Sequence, residues 1–82
     1  MRLKELRVYI NPAGADALAK HGVFYSRRAD GPYYRWLFEE GQAQWCCSRV
    51  HLPNLTLKTL RIAHWQTVPD ALRETLIEYY AE

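Results

Sequence analysis

The chain has 82 residues, of which 49% are hydrophobic and 24% are charged. This length corresponds to a single domain over residues 1–82, and the hydrophobic content is sufficient for one compact core. The formal net charge of +2 is too small to require an anionic partner or to exclude one. The chain has no apolar run near the ~20 residues of a membrane span and no signal-peptide pattern at its start, so we expect a cytoplasmic protein.

The first part of the chain predicts a strand followed by a helix. Leu6, Val8 and Ile10 alternate with more polar residues, which is typical of a half-buried strand. Asn11-Pro12 then supplies a helix N-cap and a proline at the first helical position. The Ala-rich residues 13–21 predict the helix, and Gly22 predicts its left-handed end.

Residues 23–50 predict three antiparallel strands, because they are rich in aromatic and β-branched side chains and contain two turn dipeptides. Turns centred on Asp30-Gly31 and Glu40-Gly41 place Tyr25 opposite Trp36, and Trp36 opposite Trp45. That register predicts a core face made of Val23, Tyr25, Tyr34, Trp36, Phe38, Ala43, Trp45 and Cys47. The opposite face then carries Phe24, Arg28, Tyr33, Arg35 and Leu37.

The last part of the chain predicts an irregular connection and a second helix. Residues 51–67 fit neither period well, and we expect a partly helical connection in which Trp65 contacts the core. The segment Thr67-Val68-Pro69-Asp70 is typical of a helix start. Val68, Leu72, Leu76 and either Tyr79 or Tyr80 form the apolar stripe of this helix.

The order of elements is therefore β-α-β-β-β-irregular-α, which predicts an α+β fold. We expect an antiparallel meander sheet of three to four strands, with an N-terminal and a C-terminal helix packed on it.

Cysteine and histidine residues are candidate sites of chemistry. Cys46 and Cys47 are adjacent on a strand, so they point to opposite faces and suit neither a disulfide nor a zinc site. The register places Cys46 beside Arg35, which would favour a thiolate, but the sequence places no histidine next to it. We expect no metal, no cofactor and no enzymatic activity. A small enzyme that uses Cys46 or His51 is the third hypothesis.

Arginine and aromatic side chains are concentrated in the same meander. The set consists of Arg27, Arg28, Arg35, Arg49, Tyr33, Tyr34 and Trp36. Such a combination is typical both of sheets that bind RNA and of protein–protein hot spots. From Ala13 onward, the predicted order resembles the double-stranded-RNA-binding domain in outline. The last helix begins Val68-Pro69-Asp70-Ala71 and lacks the lysine cluster of that family, so no family is assigned.

The leading functional hypothesis is a small interaction module, a regulator or adaptor that binds a larger protein. Its predicted partner-binding surface is formed by Phe24, Arg28, Tyr33, Arg35 and Leu37. The alternative is an RNA-binding or single-stranded nucleic-acid-binding domain that uses the same surface. A homo-oligomer formed through the Phe24/Leu37 patch or through a free sheet edge is a further hypothesis.

Overall fold

The computed structural model of the chain describes residues 5–51 and 57–81. These residues form a small α+β domain with one antiparallel sheet and one α-helix, which confirms the predicted class. The sheet has five strands instead of three to four, in the spatial order β4-β3-β2-β1-β5. The elements are β1 (Leu6–Ile10), β2 (Phe24–Arg28), β3 (Tyr34–Glu39), β4 (Gln44–Arg49), β5 (Arg61–Ile62) and α1 (Asp70–Tyr79).

The predicted N-terminal helix over residues 13–21 is wrong. Only a short 3-10 helix forms there, at Gly14–Leu18, and none of its residues is buried. Gly14 has a φ of +64°, which an α-helix does not accommodate. Leu18, the largest apolar side chain of this segment, is 87% exposed. The segment therefore has no apolar face to bury. Asp16 attaches it to the sheet instead, through hydrogen bonds with Arg35 and Tyr25.

The connection after β4 contains more structure than the sequence predicts. Two short 3-10 helices, Leu57–Thr59 and Trp65–Thr67, flank the two-residue strand β5. Strand β5 pairs with the end of β1, opposite Tyr9 and Ile10. Trp65 is half-buried and packs against the core, as expected. The part of this prediction that concerns residues 52–56 lies outside the described residues.

The predicted register between β2 and β3 is wrong by one residue. Phe24 lies opposite Trp36, and Tyr25 lies opposite Arg35. The amide of Gly31 donates to the carbonyl of Arg28 at 2.9 Å, and the loop is centred on Asp30 instead of on the Asp30-Gly31 bond. A shift of one residue exchanges the two faces of a strand, so Phe24 joins the core face and Tyr25 leaves it.

The register between β3 and β4 differs from the prediction by two residues. Trp36 pairs with Cys47, and Phe38 pairs with Trp45. The loop is longer than the predicted two-residue turn because residues 40–43 form it, with Ala43 at a φ of +53°. An even shift leaves each side chain on its original face. The prediction that Tyr34, Trp36, Phe38, Trp45 and Cys47 share one face is therefore confirmed by the pairing.

Helix α1 covers this face, which we call the helix face. Its Leu72 and Leu76 side chains are fully buried against a cluster that includes Val8, Phe24, Trp36, Trp45, Val68 and Tyr80. Burial of each leucine contributes about 1.5–3 kcal/mol to folding. The apolar stripe ends with Tyr80, since Tyr79 is 45% exposed. The opposite sheet face, which we call the outer face, carries the candidate site.

Candidate binding surface on the outer face

The five predicted partner-binding residues do not share one face of the sheet. Phe24 is 8% exposed within the core. Arg28 lies on the helix face, with its guanidinium 5.4 Å from the ring centroid of Tyr80. Tyr33, Arg35 and Leu37 belong to the outer face by the alternation of β3. The one-residue shift between β2 and β3 therefore divides the predicted surface.

Arg35 is engaged in an internal polar cluster. Its Nη2 donates to Asp16 Oδ1 at 3.0 Å, and its Nε donates to the Tyr25 hydroxyl at 3.3 Å. The Tyr25 hydroxyl in turn donates to Asp16 Oδ2 at 2.6 Å. Burial disfavours the charge on Arg35, but the hydrogen bonds to Asp16 and Tyr25 outweigh it and raise the pKa of Arg35. This cluster fastens the connection between β1 and β2 to the outer face.

Leu37 borders a shallow groove at the other end of β3. It is 40% exposed, and the groove is also lined by Ala19, Lys20, His21, Gly22, Phe38 and Glu40. Glu40 contacts His21 Nε2 at 2.9 Å and Lys20 Nζ at 3.6 Å. This end of the outer face therefore combines one apolar side chain with mixed charges.

The most basic part of the outer face is a group that we call the Arg–Tyr cluster, formed by Arg7, Tyr9, Arg27 and Tyr33. Arg7 and Arg27 lie directly opposite each other on β1 and β2. The rings of Tyr9 and Tyr33 contact each other, with centroids 5.9 Å apart. The Arg27 guanidinium carbon lies 4.8 Å from the centroid of the Tyr33 ring. Arginine and tyrosine therefore alternate over a continuous patch on three chain segments.

Arg27 is held in place within this cluster. Its Nε donates to the Arg28 carbonyl and its Nη1 donates to the Tyr33 hydroxyl, both at 3.1 Å. The hydrogen bond to Tyr33 is the main cause of the raised pKa of Arg27, and Asp30 adds a smaller electrostatic contribution. A guanidinium has five N–H donors, so these two bonds leave most of them able to bind an anion.

A pocket adjoins the cluster at the start of β3 and the end of β4. Its volume is about 510 Å³, and its lining consists of Arg27, Gly31, Pro32, Tyr33, Arg49, Val50 and His51. The Val50 amide donates to the Tyr33 carbonyl at 2.9 Å, and this hydrogen bond connects the side of the pocket before β3 with the side after β4. None of the lining residues is acidic. The pocket therefore continues the basic and aromatic character of the Arg–Tyr cluster.

Arg7 and Tyr9 belong to this surface but were not among the predicted partner-binding residues. Both alternate with the buried side of β1, which marks them as polar-face residues. The sequence does not show that β1 pairs with β2, and this pairing brings Arg7 next to Arg27. Only the tertiary arrangement reveals that arginines 20 positions apart are neighbours.

Cys46 does not lie in the environment that the sequence predicts, whereas Cys47 lies on the core face as expected. Cys46 lies opposite Leu37, and Arg35 lies opposite Ser48, so the expected proximity of Cys46 to Arg35 is wrong. Both cysteines are free thiols, Cys46 exposed and Cys47 half-buried. Within residues 5–51 and 57–81, no three His, Cys, Asp or Glu side chains are grouped as metal ligands would be.

Comparison with protein-family models, with curated proteins and with solved structures gave no match to this chain. No α-helix in the described part of the chain has the length and apolar character needed to cross a bilayer.

Proposed function

We propose that this chain is a binding module for single-stranded nucleic acid, and that the Arg–Tyr cluster is the surface it uses. The observation that carries the proposal is the juxtaposition of Arg7 and Arg27 on neighbouring strands, with Tyr9 and Tyr33 beside them. Single strands are bound by aromatic rings that stack on bases and by cations that follow the backbone. The cluster offers both groups on one sheet face.

The pairing of two arginines supports an anionic partner. Two guanidinium groups on paired neighbouring strands are close enough to contact the same phosphate or successive phosphates of one strand. Phosphate also accepts two parallel hydrogen bonds from a guanidinium, a geometry that arginine matches better than lysine.

The distribution of charge across the domain also favours this end of the sheet. Two carboxylates of the described residues are paired elsewhere, Asp16 with Arg35 and Glu40 with Lys20. Asp30 is the acidic residue that acts electrostatically on Arg27. Arg7 and Arg27 on paired strands, with Arg49 at the end of β4, concentrate positive charge in one part of a chain whose net charge is only +2.

The test is a fluorescence anisotropy titration of a labelled single-stranded oligonucleotide at several salt concentrations. For single strands, log K falls with log salt by about 0.7 per phosphate contact. We expect Arg7→Gln to reduce this slope by about that amount. We expect Tyr9→Leu to lower affinity by about 1–3 kcal/mol, the range for loss of one stacked base.

Arg61→Gln is the matched control. Arg61 is an exposed arginine on β5, and its guanidinium contacts only the carbonyls of Lys58 and Leu60 in the described residues. This variant removes the same charge and should leave the salt dependence unchanged. Binding that is insensitive to Arg7 and Tyr9, or no binding at low salt, would refute the proposal.

A second candidate function is that of a regulator or adaptor that binds a larger protein. It is favoured by Leu37 and Leu18, which are 40% and 87% exposed. On this hypothesis, Tyr33, Arg35 and Leu37 remain contact residues, whereas Phe24 and Arg28 act through the fold. A mainly apolar protein interface resists salt, so a partner retained at high salt and lost in Leu37→Ser would favour this candidate.

A further inference from the structure

We infer that the pocket between the β2–β3 loop and the end of β4 is a site for one nucleotide, a phosphate attached to an aromatic base. The inference rests on the proposed function and identifies the part of the surface where a single unit of the strand is held. The pocket volume of about 510 Å³ is within the range of roughly 300–1,000 Å³ that accommodates small ligands.

The polar part of the pocket is suited to phosphate. Arg27, Arg49 and His51 supply the ionisable side chains, and no carboxylate is present among the lining residues. Arg49 and His51 are exposed and form no hydrogen bond or ion pair with any other residue that the structure describes. Their donors are therefore available to an incoming anion without the loss of an internal contact.

Arg27 connects the pocket to the Arg–Tyr cluster. Its guanidinium is already oriented by its bonds to the Arg28 carbonyl and the Tyr33 hydroxyl. A side chain that is fixed before binding loses little conformational entropy when the ligand arrives. Arg27 is thus prepared to contact the phosphate, and Arg49 and His51 belong to the lining of the same pocket.

The apolar part of the pocket is suited to a base. Pro32, Val50 and the Tyr33 ring contribute to a lining that is mostly apolar. The amide of Gly31 donates to the Arg28 carbonyl, and the Val50 amide donates to the Tyr33 carbonyl. Since these backbone amides are already satisfied, they would not read the edge of a base. We therefore expect stacking and apolar contact to hold the base, with little preference among bases.

The experiment is isothermal titration calorimetry of the full chain with adenosine 5′-monophosphate, adenosine and inorganic phosphate as separate probes. We expect the nucleotide to bind at least about tenfold more tightly than either fragment, since it engages both parts of the pocket. Arg49→Gln should weaken nucleotide binding by about tenfold, and Arg61→Gln should leave it unchanged. Urea unfolding of both variants checks that each is folded.

The same variants separate this inference from the proposed function. If Arg49→Gln leaves nucleotide affinity unchanged while Arg7→Gln still weakens the oligonucleotide, the pocket assignment is wrong and the proposed function remains. If the nucleotide binds through Arg49 but oligonucleotides do not compete for it, the site exists for a free nucleotide and the proposed function is wrong. Equal binding of inorganic phosphate and nucleotide would exclude a site for the base and overturn the inference.

Discussion

Ser26 Oγ lies 2.8 Å from the Tyr80 hydroxyl, although the two residues are 54 positions apart. Ser26 is fully buried in the centre of the sheet, and its hydroxyl also accepts a hydrogen bond of 2.8 Å from Trp36 Nε1. One small polar side chain therefore joins the sheet to the end of α1 and satisfies the indole.

Replacement of Ser26 by alanine should destabilise the protein by about 2 kcal/mol, because a buried indole N–H and a buried phenol lose their partner. Tyr80→Phe removes only one of the two hydrogen bonds of Ser26, so the resulting loss of folding free energy should be about half as large. The measurement is urea denaturation followed by tryptophan fluorescence. Ser48→Ala, at an exposed position of β4, is the control, and an equal loss in that variant would contradict the explanation.

Ala43→Gly should stabilise the protein by about 1 kcal/mol. Ala43 has a φ of +53°, and a left-handed conformation costs a non-glycine residue about 1–2 kcal/mol. Part of this gain is offset because glycine has more freedom in the unfolded chain. Ala29→Gly is the matched control, since Ala29 is also an exposed turn residue but does not have a positive φ. That variant should be neutral or destabilised in the same chemical denaturation assay.

Asp16→Asn should destabilise the protein by about 2 kcal/mol, because it weakens charge-assisted hydrogen bonds to Arg35 and Tyr25. Asp70→Asn is the control. The Asp70 carboxylate also contacts an arginine, Arg73, but its side chain is 88% exposed, so its loss should cost less than about 0.5 kcal/mol. Thermal unfolding of the two variants at neutral pH compares them directly, and equal midpoints would refute the anchoring role of Asp16.

The stability of the fold should decrease at alkaline pH. Burial raises the pKa values of Tyr25 and Tyr80 above the ordinary value of about 10, and the bond to Asp16 adds to the effect at Tyr25. Their neutral forms stabilise the fold fully below pH ~10, and this contribution is lost as pH rises through the folded-state pKa. Denaturation midpoints measured across this range should fall less steeply for Tyr25→Phe than for the unmodified protein. An unchanged slope would contradict the assignment.

The two thiols should differ in reactivity toward a thiol-specific reagent. Cys46 is exposed on β4, whereas Cys47 is half-buried against the core. We expect Cys46 to react first, and Cys47 to react slowly until urea is added. Cys46→Ser should abolish the fast phase of the absorbance change. A fast phase that persists in this variant would show that Cys47 is accessible in the folded protein.

Those parts of the fold that depend on the hydrophobic period within one strand or one helix were predictable from the sequence. The half-buried strand of Leu6, Val8 and Ile10, and the stripe of Val68, Leu72 and Leu76, each follow from a single period. The shared face of Trp36 and Trp45 was also correct, because the error in that hairpin was an even number of residues.

The candidate site was less predictable, because it depends on how strands are joined. A shift of one residue around Asp30 decided that Phe24 belongs to the core and Tyr25 to the outer face. The Ala-rich segment has good helix propensity, but the tertiary contacts of Asp16 and the positive φ of Gly14 prevail over it. The pairing of Arg7 with Arg27 cannot be read from either strand alone.

In the described part of the chain α1 is the helix that covers the helix face, and this has a consequence for cooperativity. An isolated helix of 10 residues is marginal in water, and the sheet without it would expose Phe24, Trp36 and Trp45. Neither the helix nor the sheet is stable by itself, so we expect both to unfold together in one transition. Slow amide exchange in α1 should accordingly report the same opening free energy as exchange in the central strands.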